Sequence, residues 1–286
     1  MKSYNNFDMK GRLYSYSLEE KDTDKGTAIT GEVTLEVDDK GTTATARFFA
    51  YPTYSSGKTN RTYGVLEDMM AGNYKTVVND ADEADWLAMT GNIDVNYFVP
   101  RDGAKDIDEL ARSQKLRGSF INQNKDHKYQ NKWKLDMLIT RIDDVEEDAE
   151  KNIPHYVRVT GYMIDDYRER VMMVQFQARK DAAMNYILGL TASYDQPYYV
   201  SVWGELMKIA RTIVRKNAFG EDEVDEYESY IWAITGMAPE AYDFGDESAM
   251  TVDQYNEFRE NLDAHKKERL DESNDSAGSG KPDLAF

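Results

Sequence analysis

The sequence predicts a mainly β chain: two tandem five-stranded barrels, then a C-terminal helix and a disordered acidic tail. Three observations carry that expectation. Short β-prone segments of alternating polarity recur from Asp8 to Thr235, and their order repeats once. From Asp271 onward the run DESNDSAGSGKPD is too polar and too small to build a core. The length of 286 residues suits two domains of ordinary size.

The first half opens with Asp8–Glu19, where Met9, Leu13, Tyr14 and Tyr16 stand in a β-prone run. Thr27–Asp38 alternates at Ile29, Val33, Leu35 and Val37; the turn signal Asp39-Lys40-Gly41 follows, and Thr42–Tyr54 returns as a third strand. Leu66–Val78 reads as a short helix or loop, and Trp86–Val99 and Gln114–Ile121 supply two more strands. Five strands with a small insertion after the third is the strand count of the OB-fold, a partly open Greek-key barrel.

The second half repeats the plan. Lys132–Ile142, His155–Ile164 and Arg170–Arg179 are strands one to three, with Asp143–Glu150 as an acidic loop. Asp181–Leu190 is a short helix, Pro197–Leu206 strand four, and either Ala210–Lys216 or Tyr230–Thr235 strand five. Thr30-Gly31 and Thr160-Gly161 fall at the same point of strand two, and Arg47-Phe48-Phe49 is answered by Gln175-Phe176-Gln177 with Arg179. The expected domains are residues 1–125, residues 126–245, a helix within 246–270 and a tail over 271–286. Thr251 and Gln254 have capping-box spacing, and Val252, Tyr255, Phe258 and Leu262 give the helix a narrow apolar stripe.

The absence of Cys removes disulfides, thiolate nucleophiles and thiolate metal sites. There is no apolar run of about 18 residues and no basic-then-apolar leader, so no membrane association is expected. The expected location is the cytoplasm, that of the host if the protein is phage-encoded. Gly57-Lys58-Thr59 is not a phosphate loop: the glycine such a loop needs is replaced by Pro52, which has no amide hydrogen. Asp22-Thr23-Asp24-Lys25-Gly26 is a turn, since Val33 stands where a calcium loop needs Glu. His127, His155 and His265 are isolated, and no GxSxG elbow accompanies them.

The formal charge of −18 argues against a nucleic-acid partner only if charge is spread evenly, and it is not. Asp143–Glu150 and Glu221–Glu228 each hold six acids in eight residues. Thr42–Leu66 has no acid, yet carries Arg47, Lys58 and Arg61 among Phe48, Phe49, Tyr51, Tyr54 and Tyr63. Arg112–Lys134 has seven basic residues, among them Lys115, Arg117 and Lys132, against Asp126 alone, and Lys208–Phe219 holds Arg211 and Arg215 without an acid.

A single strand is held by cations that meet its phosphates and rings on which its bases stack. Alternation places Arg47, Phe49 and Tyr51 on one face of their strand, with Phe48 and Ala50 turned to the core. The candidate binding residues are Arg47, Phe49, Tyr51, Tyr54, Lys58, Arg61, Lys115, Arg117, Lys132, Trp133, Arg179, Arg211 and Arg215; Trp133, Lys132 and Lys134 lie where the barrels join, so a groove across both is expected. The bland alternative is that most rings pack the cores, as Trp86, Trp203 and Trp232 are expected to do.

On this pattern the chain resembles the OB-fold single-stranded DNA-binding proteins of tailed bacteriophages. Its tail is similar in layout to that of bacterial SSB, an acidic disordered segment ending in a hydrophobic, often Phe-terminated tip. Asp271, Glu272, Asp275, Asp283, Leu284 and Phe286 stand in those places, although Lys281 and sparse acids precede the tip. The resemblance implies a non-catalytic, cofactor-free protein that coats single-stranded DNA in replication or recombination. It also implies that Asp283, Leu284 and Phe286 dock replication or recombination proteins and that the tail competes with DNA. Two other readings remain open: a virion or scaffold protein with barrels as interaction modules, and a carboxylate-dependent metal nuclease.

Overall fold

The structure, a computed structural model, describes residues 3–216, 218–246 and 249–278, with side chains through residue 273. The first half folds as β1 (Asn5–Thr23), β2 (Gly26–Glu36), β3 (Thr43–Ala50), α1 (Arg61–Met70), β4 (Trp86–Phe98) and β5 (Ala111–Gln123). β1 pairs antiparallel with β2 and with β4, β2 with β3 and β4 with β5, while β3 and β5 pair parallel. The ladder therefore closes in the order 1-2-3-5-4-1, the OB-fold barrel.

The second half is β6 (Gln130–Val145), β7 (Tyr156–Asp165), β8 (Arg170–Ala178), α2 (Asp181–Leu188), β9 (Tyr198–Lys216) and β10 (Asp222–Met237). Its pairings reproduce the first barrel's, including the parallel contact of β8 with β10 at Gln177 and Ala233. The first strands of the two barrels also pair with each other, from Asn5↔Leu135 to Lys10↔Gln130. Two closed barrels thus share one ten-stranded sheet.

Alternation explains the cores. Phe7, Met9, Leu13, Val33, Leu35 and Phe48 are sealed in the first barrel, and Leu135, Met137, Val159, Val174 and Val202 in the second. Each such side chain stabilises by about 1.5–3 kcal/mol relative to exposure. Gly31 and Gly161 occupy matching places: a Cβ would come within 2.0 Å of the Ser17 carbonyl oxygen in one barrel and 2.2 Å of that of Leu138 in the other. Both first strands bulge nearby, at Leu13/Ser15 and Ile139/Arg141.

Several elements differ from expectation. α1 begins at Arg61 because Asn60 caps it, its side-chain oxygen accepting from the Thr62 amide at 3.1 Å. β9 absorbs both Pro197–Leu206 and Ala210–Lys216, so strand five is β10. The acidic run Glu221–Glu228 lies almost wholly in β10, and residues 143–145 of the expected acidic loop finish β6. Beyond the barrel, β9 and β10 ladder only with each other as a projecting arm among the described residues. Cross-strand pairs hold its charge: Lys208 with Glu228 at 2.5 Å, Lys216 with Asp222 at 3.3 Å and Arg215 with Asp225 at 3.9 Å.

The C-terminal helix α3 runs from Val252 to Gly278, past the expected end at Leu270, so residues 271–278 are helical where disorder was expected. Its capping box forms as the spacing predicts. The Thr251 amide donates to the Gln254 side chain at 2.9 Å, and the Gln254 amide donates to the Thr251 hydroxyl at 3.2 Å. Tyr255, Phe258 and Leu262 are buried; Val252 is not. The expected docking tip, Asp283, Leu284 and Phe286, lies outside the described residues. Among the described residues no helix is long and apolar enough to cross a membrane.

Candidate nucleic-acid interface

The outer face of β2, β3 and β5 carries a cleft of about 630 Å³. β3 places Arg47 and Phe49 outward because its alternate residues Ala46, Phe48 and Ala50 are buried. The parallel pairing sets Arg47 beside Arg117 of β5, with Lys115 two residues away on the same face. Phe49 is 49% exposed, and the Tyr51 ring stands edge-on to it at 5.3 Å. Tyr51 is held in turn by a 2.9 Å hydrogen bond between its hydroxyl and that of Thr23, at the β1–β2 turn. The buried Asn60 donates to the Tyr51 carbonyl at 2.9 Å.

Tyr54 rims the cleft from the loop before α1. That loop is a tight hairpin in which Thr53 bridges Thr59, Tyr54 and Lys58 are joined backbone to backbone, and Gly57 takes φ +78°. It carries Lys58, exposed, and leads to the exposed Arg61 in the first turn of α1. Six of the expected binding residues thus line one cleft: Arg47, Phe49, Tyr51, Tyr54, Lys115 and Arg117. Lys58 and Arg61 flank it.

The electrostatics separate this cleft from the rest of the surface. Glu32 and Asp94 stand opposite Arg47 and Lys115 in the ladders, but among the described residues no carboxylate comes within 4 Å of Arg47, Lys115 or Arg117. The acid that lines the cleft, Asp94, is 3.8 Å from Arg168 instead. A local excess of cations raises the local concentration of anions. The arm shows the opposite arrangement, so Arg215 faces Asp225 there and not a groove.

The remaining expected residues do not join the cleft. Trp133 is 1% exposed and stacks on Phe176 at 4.5 Å inside the second barrel, so it has no face to offer a base. Its position follows from alternation in β6, whose outward neighbours Lys132 and Lys134 are exposed. Arg179 lies over the Tyr156 ring at 5.1 Å, and burial together with the nearby Arg211 holds its pKa below the usual guanidinium range. Arg179 belongs to the second barrel, and Arg211 stands on the arm, opposite Tyr227.

The expected repeat of Arg47-Phe48-Phe49 is also out of register. Gly31 pairs with Phe48, while Gly161 pairs with Val174. The second-barrel counterparts of Arg47 and Phe49 are therefore Met173 and Gln175. Two residues at the barrel junction, Tyr4 and Trp203, were not among the expected binders; Lys134, expected at the join, lies between them. Trp203 is 37% exposed and not a core anchor. The signal was present in Val200, Val202 and Gly204, whose inward alternation turns Trp203 out. Among the described residues no group of three or more His, Asp or Glu side chains is placed to hold a metal.

A family model described as YorF matches residues 3–276. The chain belongs to the YorF family. No curated protein matches its sequence. Among solved structures, a deletion mutant of the single-stranded DNA-binding protein of Thermus aquaticus aligns with a TM-score of 0.50 at 13% identity, covering 86% of this chain and 99% of that one. The wild-type protein of the same organism aligns with a TM-score of 0.49 at 13% identity, covering 87% and 98%. At such identity the first of these bears on fold alone, and it supports the mainly β, OB-fold class of this YorF chain.

Proposed function

We propose that this YorF-family chain binds single-stranded nucleic acid, DNA foremost, without catalysis. The observation that carries the reading is the first-barrel cleft, where Arg47, Lys115 and Arg117 share a wall with exposed Phe49 and Tyr54 and outnumber the acids beside them. The cations suit phosphates; the rings suit bases that have no complementary strand. The charge of −18 does not oppose this, because it is a sum over the whole chain, and at the cleft itself Lys21, Arg47, Lys115 and Arg117 outnumber Asp94. The Thermus aquaticus protein of similar fold is a single-stranded DNA-binding protein, which supports the same reading. The cellular role would be to coat strands exposed in replication or recombination of the phage type, with protein partners recruited through the C-terminal tail.

The test is a titration of the full chain with labelled oligo-dT, oligo-rU and duplex of equal length at two salt concentrations. Oligo-dT should bind best, with log affinity falling by about 0.7 per log unit of salt for each phosphate neutralised. Absence of binding at low salt, or duplex bound as well as oligo-dT, would overturn the proposal. A second reading, an assembly protein, draws on the arm, where exposed Val214 and Val224 pair side by side. It predicts large assemblies by light scattering that are indifferent to oligo-dT.

A further inference from the structure

The first-barrel cleft continues around the molecule because the two barrels share a sheet. The ladder sets Arg47 opposite Arg117, Arg117 opposite Asn92, Asn6 opposite Lys134 and Lys134 opposite Trp203. Asn92 and Asn6 adjoin the paired residues Gly91 and Phe7, which completes the row. Its six members are all exposed or half-exposed, whereas flanking residues such as Leu116, Phe7, Leu135 and Val202 are buried. The row crosses β3, β5, β4, β1, β6 and β9, five steps of about 4.8 Å, or roughly 24 Å along the curved outer surface.

At its far end is a groove of about 660 Å³ lined by Tyr4, Asn6, Lys134 and Trp203. The Lys134 ammonium sits 5.0 Å from the centre of the Tyr4 ring and 5.8 Å from that of Trp203. Tyr4 is 46% exposed and Trp203 37%. Trp203 covers Gly236, where a Cβ would meet the indole nitrogen at 2.4 Å, so the glycine is what lets the ring rest against the sheet. Asp8 and Glu205 line the same groove with Lys132, which leaves the local charge near balance. Phosphate attraction is therefore weaker here than in the cleft, and rings are the main resource.

We propose that this junction groove is a second base-stacking site, with Trp203 and Tyr4 as platforms and Lys134 between them. A single strand reaches it after crossing from the first-barrel cleft. The proposal rests on that cleft being the strand's primary site, and strand length separates the two. A short strand fills the cleft alone; a long one spans the row.

The experiment compares oligo-dT of about 5 and about 20 nucleotides, lengths that bracket a one-barrel site. Trp203→Ala should weaken binding of the long strand roughly fivefold to a hundredfold, the effect of one lost stack, and leave the short strand within about twofold. Lys134→Met should flatten the salt dependence for the long strand by about 0.7, whereas Trp203→Ala leaves the slope unchanged. Trp203→Phe keeps a ring over Gly236. It should retain long-strand affinity while losing most of the emission change seen on binding. An equal loss for both lengths, no loss for either, or an undiminished emission change in Trp203→Phe would overturn the groove. Failure of the cleft shows differently, as short-strand affinity unaltered by Phe49→Ala.

Discussion

The two barrels share strand order, parallel closure and a glycine at the same place in strand two, yet their outer faces are opposites. Registering Gly31 on Gly161 sets Glu32 against Tyr162, Arg47 against Met173, Phe49 against Gln175 and Tyr51 against Gln177. The first face is open. The second is largely covered, with a smaller cleft of about 430 Å³ left beside Arg141, Arg158 and Gln175: Tyr162 is 5% exposed, with Tyr194 and Tyr255 each 6.3 Å from its ring centre. Arg259 of α3 stacks on Tyr194 at 3.5 Å. The first barrel covers the rest, Tyr97 accepting from the Met173 amide at 3.0 Å and Arg112 donating to Gln175 at 3.1 Å. Ladder topology thus fixes the barrel, while the outward residues of strands two and three decide whether it meets a ligand or another part of its own chain.

The largest expected effect tests the division between core and face. Trp133→Ala empties the centre of the second barrel, where Phe176 and Trp232 pack on the indole, and should cost about 3–5 kcal/mol of stability. Denaturant unfolding measures it. The protein that remains folded should bind oligo-dT as before; a stable variant that had lost binding would put the ring back among the ligand contacts. Next is Phe49→Ala, which removes one stacking platform and should cost about 1–3 kcal/mol of oligo-dT binding with little change in unfolding midpoint. Gln175→Ala, its counterpart, should stay within about 0.5 kcal/mol of wild type by the same titration. Equal losses at both positions would mean that the covered face opens in solution.

Much of this was legible in the sequence, and the reasons differ by element. Strands with clean alternation, such as β2 and β8, lie within two residues of the expected bounds, because period-two patterning reports a half-buried face directly. The outward set on β3 followed from the same period. The errors came where another interaction overrides the local pattern. The start of α1 is set by the Asn60 cap and not by an apolar run. The acidic half of β10 resembles a solvated loop, and it is the ladder to β9, with Lys208, Arg215 and Lys216 facing its acids, that makes it a strand. Trp133 was misplaced because its basic neighbours suggested a binding surface, although those neighbours alternate away from it. The closure of the second face depends on contacts between Tyr97 and Met173 and between Tyr255 and Tyr194, 76 and 61 residues apart, which no local pattern reveals.

The smallest expected effect concerns the cover itself. His265 of α3 lies edge-on to Tyr97 at 6.5 Å with its side chain 17% exposed. Burial is the main cause that holds its pKa below the ordinary histidine value; Arg170 of β8 and Arg269 of α3 push the same way, and Glu268 opposes them. A histidine depressed on folding binds its proton more readily in the unfolded chain. Its contribution is complete above the unfolded value of about 6.5 and is lost as pH falls towards the folded one. His155 has the opposite sign: a hydrogen bond to Asp144 raises it, so its contribution is present at low pH and lost as pH rises through the folded value. Between pH 7.5 and 5.5, His265→Gln should therefore lose less thermal stability than wild type, and His155→Gln should lose more. If α3 is a true cover, hydrogen exchange at Val171 and Met173 of β8 should rise on acidification in wild type and stay flat in His265→Gln. A rise of the same size in both would show that the helix is held without regard to this ring.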